Sequence, residues 1–70
     1  MSYPKITLKA ARVSAGLNQK DAASALGISK STLINYEHGK TVPDWRMVNK
    51  ICKLYEIPAD FIFFDRKLRF

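Results

Sequence analysis

Five residues that interrupt regular structure divide the chain into pieces about one short helix long. They are Gly16, Gly27, Gly39, Pro43 and Pro58. Glycine often ends a helix because it adopts the left-handed backbone conformation at no steric cost, and proline breaks the interior of a helix or a sheet. Few stretches between these residues alternate apolar and polar side chains, so strands are not favoured. The spacing therefore predicts an all-α domain built from short helices.

The second and third pieces carry matching start and stop signals. Asn18 is a good N-cap, because its side-chain oxygen accepts a free backbone N–H of the first helical turn, and Gly27 follows as the stop. Ser29 is the corresponding cap for residues 30–38, which Gly39 ends. These signals predict two helices separated by a very short turn.

The remaining pieces are also helical in pattern. Residues 7–15 place apolar side chains on one helical face before Gly16. Asp44 caps a fourth helix, and Pro58 is suited to the start of a fifth over residues 59–63. The apolar stripe of the fourth helix consists of Met47 or Val48, Ile51, Leu54 and Tyr55.

The charge balance is strongly basic. The 70 residues contain 12 Lys or Arg against 6 Asp or Glu, a formal net charge of +6. The positive residues are spread along the chain, so the excess is not a basic tail, and it favours a polyanionic partner. A chain of this length forms one domain, residues 1–70, with residues 6–63 as its core and residues 64–70 as an apolar and basic tail.

Composition also argues against several classes of site. One Cys and one His supply neither a disulfide framework nor the usual zinc ligands. No nucleophile–base pair or Gly-rich phosphate loop is visible, so we expect no enzyme and no bound cofactor, metal or small-molecule ligand. No apolar run approaches the ~20 residues of a membrane span, and no secretory signal is visible. We expect a cytoplasmic protein without a membrane partner.

The second and third predicted helices form a helix-turn-helix pattern, two short helices joined by a tight turn that contains glycine. Such helices cross steeply, so the first needs a small side chain at the crossing, and Ala23 supplies it. Gly27 supplies the left-handed residue of the turn. The apolar side chains expected to hold the pair together are Ala22, Leu26, Ile28, Leu33 and Tyr36.

Residues 17–43 read Leu-Asn-Gln…Ala-Ala…Leu-Gly-Ile-Ser…Thr-Leu…Tyr-Glu-His-Gly-Lys…Pro. This register resembles the phage repressor/Cro-type helix-turn-helix family, the XRE-like and lambda-repressor-like DNA-binding domains. The resemblance covers about residues 6–63. It implies a five-helix DNA-binding domain that acts as a dimer on a pseudo-palindromic operator, with residues 30–38 as the recognition helix in the major groove.

The resemblance implies that side chains of the third helix contact bases. These are Lys30, Ser31, Thr32, Ile34 and Asn35. Lysine donates to guanine, asparagine pairs with adenine, and hydroxyl groups serve several bases. Ile34 stands where many relatives carry a polar residue, so it is either an aliphatic side chain at the edge of the core or a contact to a thymine methyl group. Asn35 is either a base reader or a solvated amide.

Further residues are implied to contact phosphates, which position the domain without reading the sequence of the DNA. They are Asn18, Gln19, Lys40, Thr41 and Arg46. Gln19 is also implied to brace Lys30. Relatives often pair an arginine of the first helix with the glutamate that follows the aromatic residue of the third. Here this implies a partly buried ion pair between Arg12 and Glu37.

The C-terminal residues are more apolar than a solvated terminus should be. We expect a homodimer through side chains of this segment, namely Phe61, Phe63, Phe64, Leu68 and Phe70. The alternative is that these residues fold back on the core of their own chain. Trp45 and Tyr55 are expected in the core or in a dimer contact rather than as platforms for base stacking.

The sequence thus predicts a sequence-specific double-stranded DNA-binding regulator of transcription. A small repressor or Cro-like protein of a bacterial cell, a phage or another mobile element is the leading interpretation. The alternative is a protein-interaction module of the same fold, such as an antitoxin-like or adaptor component, with little or no DNA binding. The chain is either a whole protein or the DNA-binding domain of a longer regulator.

Overall fold

Four helices and one short pair of strands make up the described part of the chain. The computed structural model describes residues 6–59 and 62–63. The elements are β1 (Ile6–Thr7), α1 (Leu8–Ser14), α2 (Gln19–Leu26), α3 (Lys30–Glu37), α4 (Trp45–Tyr55) and β2 (Ile62–Phe63). β1 and β2 pair in parallel, with Ile6 opposite Ile62 and Thr7 opposite Phe63, so the two ends of the described fold lie side by side.

Side-chain oxygens cap all four of these helices at their N-termini. The caps on α2, α3 and α4 are those predicted, and Thr7 does the same for α1. Each cap oxygen accepts a hydrogen bond from the backbone N–H three residues later in the chain. The distances are 3.0, 2.7, 3.1 and 2.8 Å for Thr7, Asn18, Ser29 and Asp44. Each such cap typically contributes about 1 kcal/mol, which matters in helices this short.

The helix ends use left-handed residues. Gly27 ends α2 at φ 75°, and an alanine Cβ built there meets no neighbouring atom within 4 Å. The requirement for glycine at this turn is therefore one of backbone conformation and not of space. Glu56 takes the same role after α4 at φ 56°, which is a strained conformation for a residue with a side chain.

The core gathers one face from each helix. Its buried side chains are Leu8, Ala11, Ala22, Ala23, Leu26, Leu33, Ile51 and Tyr55. Ala23 is 2% exposed, as expected at the crossing of α2 with its neighbours. Ala15 is exposed, because α1 ends at Ser14 and Ala15 lies beyond it as the C-cap. Arg12 is instead the third buried residue of α1.

The helical class of the domain is confirmed, but the predicted fifth helix is not found among the described residues. Ile62 and Phe63, expected in that helix, form β2. Strand pairing decides their conformation, and the partner strand β1 lies near the opposite end of the sequence, so no local pattern reveals it. Of the predicted dimer contacts, Phe63 is described only as part of β2, and the others lie outside the described residues: Phe61, Phe64, Leu68 and Phe70.

No helix in the described ranges has the length and apolar character that crossing a membrane requires.

Candidate nucleic-acid interface

The N-terminal ends of α2 and α3 carry free backbone donors at the surface. The first intrahelical bond of α2 runs from Ala22 N to Asn18 O at 3.0 Å, and that of α3 from Leu33 N to Ser29 O at 3.2 Å. The N–H groups of the first two residues in each helix therefore have no acceptor within their helix. Such groups, at the positive end of a helix dipole, suit an anion such as a phosphate.

The predicted base contacts on α3 differ in how far they reach solvent. Lys30 and Ser31 are exposed, whereas Thr32 and Asn35 are half-buried. The Thr32 hydroxyl lies 2.9 Å from Ser29 Oγ, so it is tied to the helix cap. The first turn of α3 thus presents one cation and one free hydroxyl outwards.

Ile34 is half-buried, yet it is not among the apolar side chains that pack against the core of the described residues. It lies on the same helix as Lys30 and Asn35. Both alternatives for Ile34, a place at the edge of the core and a contact to a thymine methyl group, stay predictions.

The loop after α3 folds back onto that helix. Asn35 O accepts a hydrogen bond from Lys40 N at 2.9 Å and a weaker one from Thr41 N at 3.5 Å. Lys40, Thr41 and Arg46 are all exposed. Two predicted phosphate contacts, Lys40 and Thr41, therefore lie beside the C-terminal half of α3, and the third, Arg46, lies in the first turn of α4.

A buried ion pair joins α1 to α3. Arg12 Nε donates to Glu37 Oε2 at 2.7 Å, and the two side chains are 7% and 2% exposed. Arg12 Nη1 also donates to the carbonyl of Leu17 at 2.8 Å, and Leu17 N donates back to Arg12 O at 3.2 Å. Gln19 Nε2 donates to the second carboxylate oxygen of Glu37 at 3.0 Å. We refer to these four residues as the buried ion-pair network.

The role of Gln19 differs from the one that the resemblance implied. Its amide donates to Glu37, and no hydrogen bond joins it to Lys30 within the described part of the chain. Gln19 and Glu37 lie 18 positions apart, so no local sequence signal pairs them. The amide of Gln19 is thus a support for α3 as well as a group at the start of α2.

Tyr55 of α4 lies beside this network. Its side chain belongs to the core, and its hydroxyl has no hydrogen-bond partner among the described residues. Burial, together with the nearby carboxylate of Glu37, raises the pKa of Tyr55 to about 12, and the charge of Arg12 opposes this shift. Sequence reasoning placed Tyr55 in the apolar stripe but missed the proximity of its hydroxyl to the ion pair.

Two further residues of α4 differ in their burial. Trp45, expected in the core or in a dimer contact, is 70% exposed, so the first alternative is wrong and the second stays a prediction. Cys52 packs partly buried against the core, and burial raises the pKa of its thiol. No group of three or more His, Cys, Asp or Glu side chains in residues 6–59 is placed to hold a metal ion.

Glu37→Ala is expected to lower the free energy of unfolding by about 3–5 kcal/mol, because it leaves the charge of Arg12 buried without its partner. Gln19→Ala removes one hydrogen bond to the same carboxylate and is expected to cost about 1 kcal/mol. Urea unfolding followed by circular dichroism measures both. A loss below about 1 kcal/mol for Glu37→Ala would contradict the buried pair, because exposed pairs fall in that range.

Tyr55→Phe is expected to reduce the loss of stability at alkaline pH. The folded pKa of about 12 lies above the ordinary value of 10.0, so the unfolded chain loses this proton first as pH rises. The stability linked to the protonated hydroxyl is complete below about pH 10 and is lost between about pH 10 and 12. Urea midpoints from pH 8 to 12 measure the difference, with Tyr36→Phe as the control. Equal alkaline losses in the wild type and Tyr55→Phe would contradict the shift.

Comparison with known proteins places this geometry in a family. Residues 6–63 match the model of a family described as a helix-turn-helix domain. The chain is 40% identical over 55 residues to the HTH-type transcriptional regulator ImmR of Bacillus subtilis (strain 168), covering 79% of this chain and 43% of ImmR. It is 38% identical over 47 residues to the cryptic phage CTXphi transcriptional repressor RstR of Vibrio cholerae, covering 67% of this chain and 42% of RstR.

A third relative matches over most of its own length. An uncharacterised HTH-type transcriptional regulator of Methanocaldococcus jannaschii is 37% identical over 59 residues, which are 84% of this chain and 89% of that protein. The chain spans less than half the length of ImmR and RstR. No solved structure matches the chain.

The resemblance inferred from residues 17–43 is confirmed by the family match, which extends over all of the described residues. In the structure, α2 and α3 are joined by a two-residue turn after the left-handed Gly27, which is the geometry that the motif requires. The chain belongs to the helix-turn-helix domain family.

Proposed function

We propose that this chain is a sequence-specific double-stranded DNA-binding regulator of transcription, a repressor or Cro-like protein, with α3 as its recognition helix. The observation that carries the proposal is the exposed start of α3, with Lys30 and Ser31 at the surface, on a helix whose far end is held by the buried ion-pair network. The net charge of +6 is suited to a polyanion. ImmR and RstR are named as a transcriptional regulator and a transcriptional repressor.

Side chains of α3 would make the contacts to bases. Lys30 donates to guanine O6 or N7, and Asn35 pairs with adenine N6 and N7. Ser31 and Thr32 bond to several bases, and Ile34 contacts a thymine methyl group. A rigid recognition helix is useful here, because each base contact requires its donor or methyl group at a defined depth in the groove.

Phosphate contacts would lie on both sides of α3. On one side are Asn18 and the free N–H groups of the first turn of α2, including that of Gln19. On the other side are Lys40, Thr41 and Arg46. These contacts would fix the orientation of the domain on the duplex and would contribute to affinity without base preference.

The proposed roles on α3 and α4 predict different effects on binding. Against an operator selected from a random duplex pool, Asn35→Ala is expected to cost about 1–3 kcal/mol and to relax preference at one base pair. Arg46→Ala is expected to weaken selected and unrelated duplexes about equally and to reduce the salt slope by about 1. Lys53→Ala removes the same charge from the last turn of α4 and is expected to change little. Anisotropy of a labelled duplex measures all three.

Two outcomes would count against these assignments. Unchanged affinity and base preference in Asn35→Ala would show that the register of the recognition helix is wrong. Failure to bind any duplex at low salt would exclude the DNA-binding function and favour a protein-interaction module, because several phosphate contacts make affinity steeply dependent on salt.

We infer further that the chain acts as a homodimer on a pseudo-palindromic operator, in the cytoplasm of a bacterial cell or as part of a phage or mobile element. The buried core of the described residues holds eight side chains, three of them alanine, so it is small. The C-terminal segment is rich in apolar residues, which a second copy would cover in the proposed dimer. The full name of RstR describes it as a transcriptional repressor of a cryptic phage.

Sedimentation of the full chain at tens of micromolar is expected to show a dimer. The double variant Phe64→Asp with Leu68→Asp is expected to sediment as a monomer, because two charges replace apolar contacts. The pair Arg66→Asp with Lys67→Asp changes charge in the same segment and serves as the control. A monomeric wild type would contradict the dimer and favour the alternative that the tail folds back on its own core.

A further inference from the structure

Trp45 is the most exposed of the large apolar side chains in the described residues, at 70% of its surface. It is the first residue of α4 and precedes Arg46. Val42, 40% exposed, lies in the loop just before it. Tryptophan combines a large apolar ring with one N–H donor, so it is enriched where a protein meets a partner.

The position of Trp45 follows from the loop that precedes it. The N–H groups of Lys40 and Thr41 both point to Asn35 O, so the loop begins against α3. The four residue-to-residue steps from Thr41 to Trp45 span at most about 14 Å. Trp45 therefore lies within that distance of a loop residue that is bonded to the helix proposed to read bases.

The charges around Trp45 suit a polyanion. Lys40 and Arg46 are exposed, and the ion pair found in the described residues involves neither. Asp44 is also exposed, but its carboxylate is engaged as the helix cap, since Oδ1 accepts a hydrogen bond from Met47 N at 2.8 Å. That cap occupies the N-terminal end of α4 with a negative group, so any anion at this surface must be bound by side chains and not by the helix end.

We propose that Trp45 packs its indole ring against the deoxyribose–phosphate backbone of duplex DNA beside the bases that α3 reads. The ring face covers sugar C–H groups, Nε1–H donates to a phosphate oxygen, and Lys40 and Arg46 neutralise the phosphates on either side. The inference rests on the proposed DNA-binding function. A contact of this kind strengthens binding to every duplex and sets how α3 lies in the groove, without reading sequence itself.

Fluorescence tests the proposal directly, because Trp45 is the single tryptophan of the chain. In the free protein its emission is expected to be that of an indole in water, freely quenched by acrylamide. Saturation with the selected duplex is expected to shift the emission and to lower the acrylamide quenching constant severalfold. An unrelated duplex, at a concentration that saturates the protein, is expected to shield Trp45 as well.

Affinity is read separately, from the anisotropy of a labelled duplex. Trp45→Ala is expected to weaken selected and unrelated duplexes by the same factor, about five- to tenfold, with base preference unchanged. Trp45→Phe keeps an aromatic ring but loses the N–H donor, so its affinity is expected to lie between those of the wild type and Trp45→Ala. Val13→Ala truncates another exposed apolar side chain, on α1, and serves as the matched control with unchanged affinity.

The two measurements separate the possible failures. A Trp45 that remains freely quenched while the labelled duplex is bound would overturn the contact and leave the DNA-binding function intact. A Trp45 already shielded in the free protein, at concentrations where sedimentation shows dimers, would assign it to contact with a second copy and overturn the proposal. No binding of any labelled duplex would overturn the proposed function and this inference together.

Discussion

The ion pair of Arg12 with Glu37 is the interaction on which the arrangement of the first three helices depends. Moving two charges out of water is costly, and the cost is recovered only when geometry is good and the remaining polar atoms are bonded. Here both carboxylate oxygens accept a hydrogen bond, one from Arg12 and one from Gln19, and the guanidinium also donates to Leu17 O. One polar cluster therefore links α1, the turn after it, α2 and the end of α3.

This cluster determines what α3 can present to a partner. A rotation of α3 about its axis would separate Glu37 from Arg12 and leave both charges buried without partners. The helix is thus held in one orientation, with Lys30 and Ser31 outwards and Leu33 in the core. Tyr55 closes the cluster from α4, and the raised pKa of its hydroxyl reflects the same exclusion of water.

The surface around α3 combines two kinds of contact that a nucleic acid offers. The free backbone N–H groups at the start of α2 and the ammonium group of Lys40 in the loop after α3 are suited to phosphates. Ile34 and Trp45 add apolar area, the first on α3 and the second at the start of α4. The loop that joins these parts is itself bonded to Asn35 O, so the whole surface is carried by α3 and its immediate neighbours.

Local signals were sufficient to predict the helix-turn-helix. The caps at Asn18 and Ser29 and the left-handed Gly27 each act within about one helical turn, so they are legible in the sequence and recur in the structure. Three features were decided only by tertiary structure: the hydrogen bond of Gln19 to Glu37, the pairing of β1 with β2, and the exposure of Trp45. The first two are contacts between residues far apart in the chain, and the third depends on which neighbours the fold brings against a side chain, which periodicity alone does not specify.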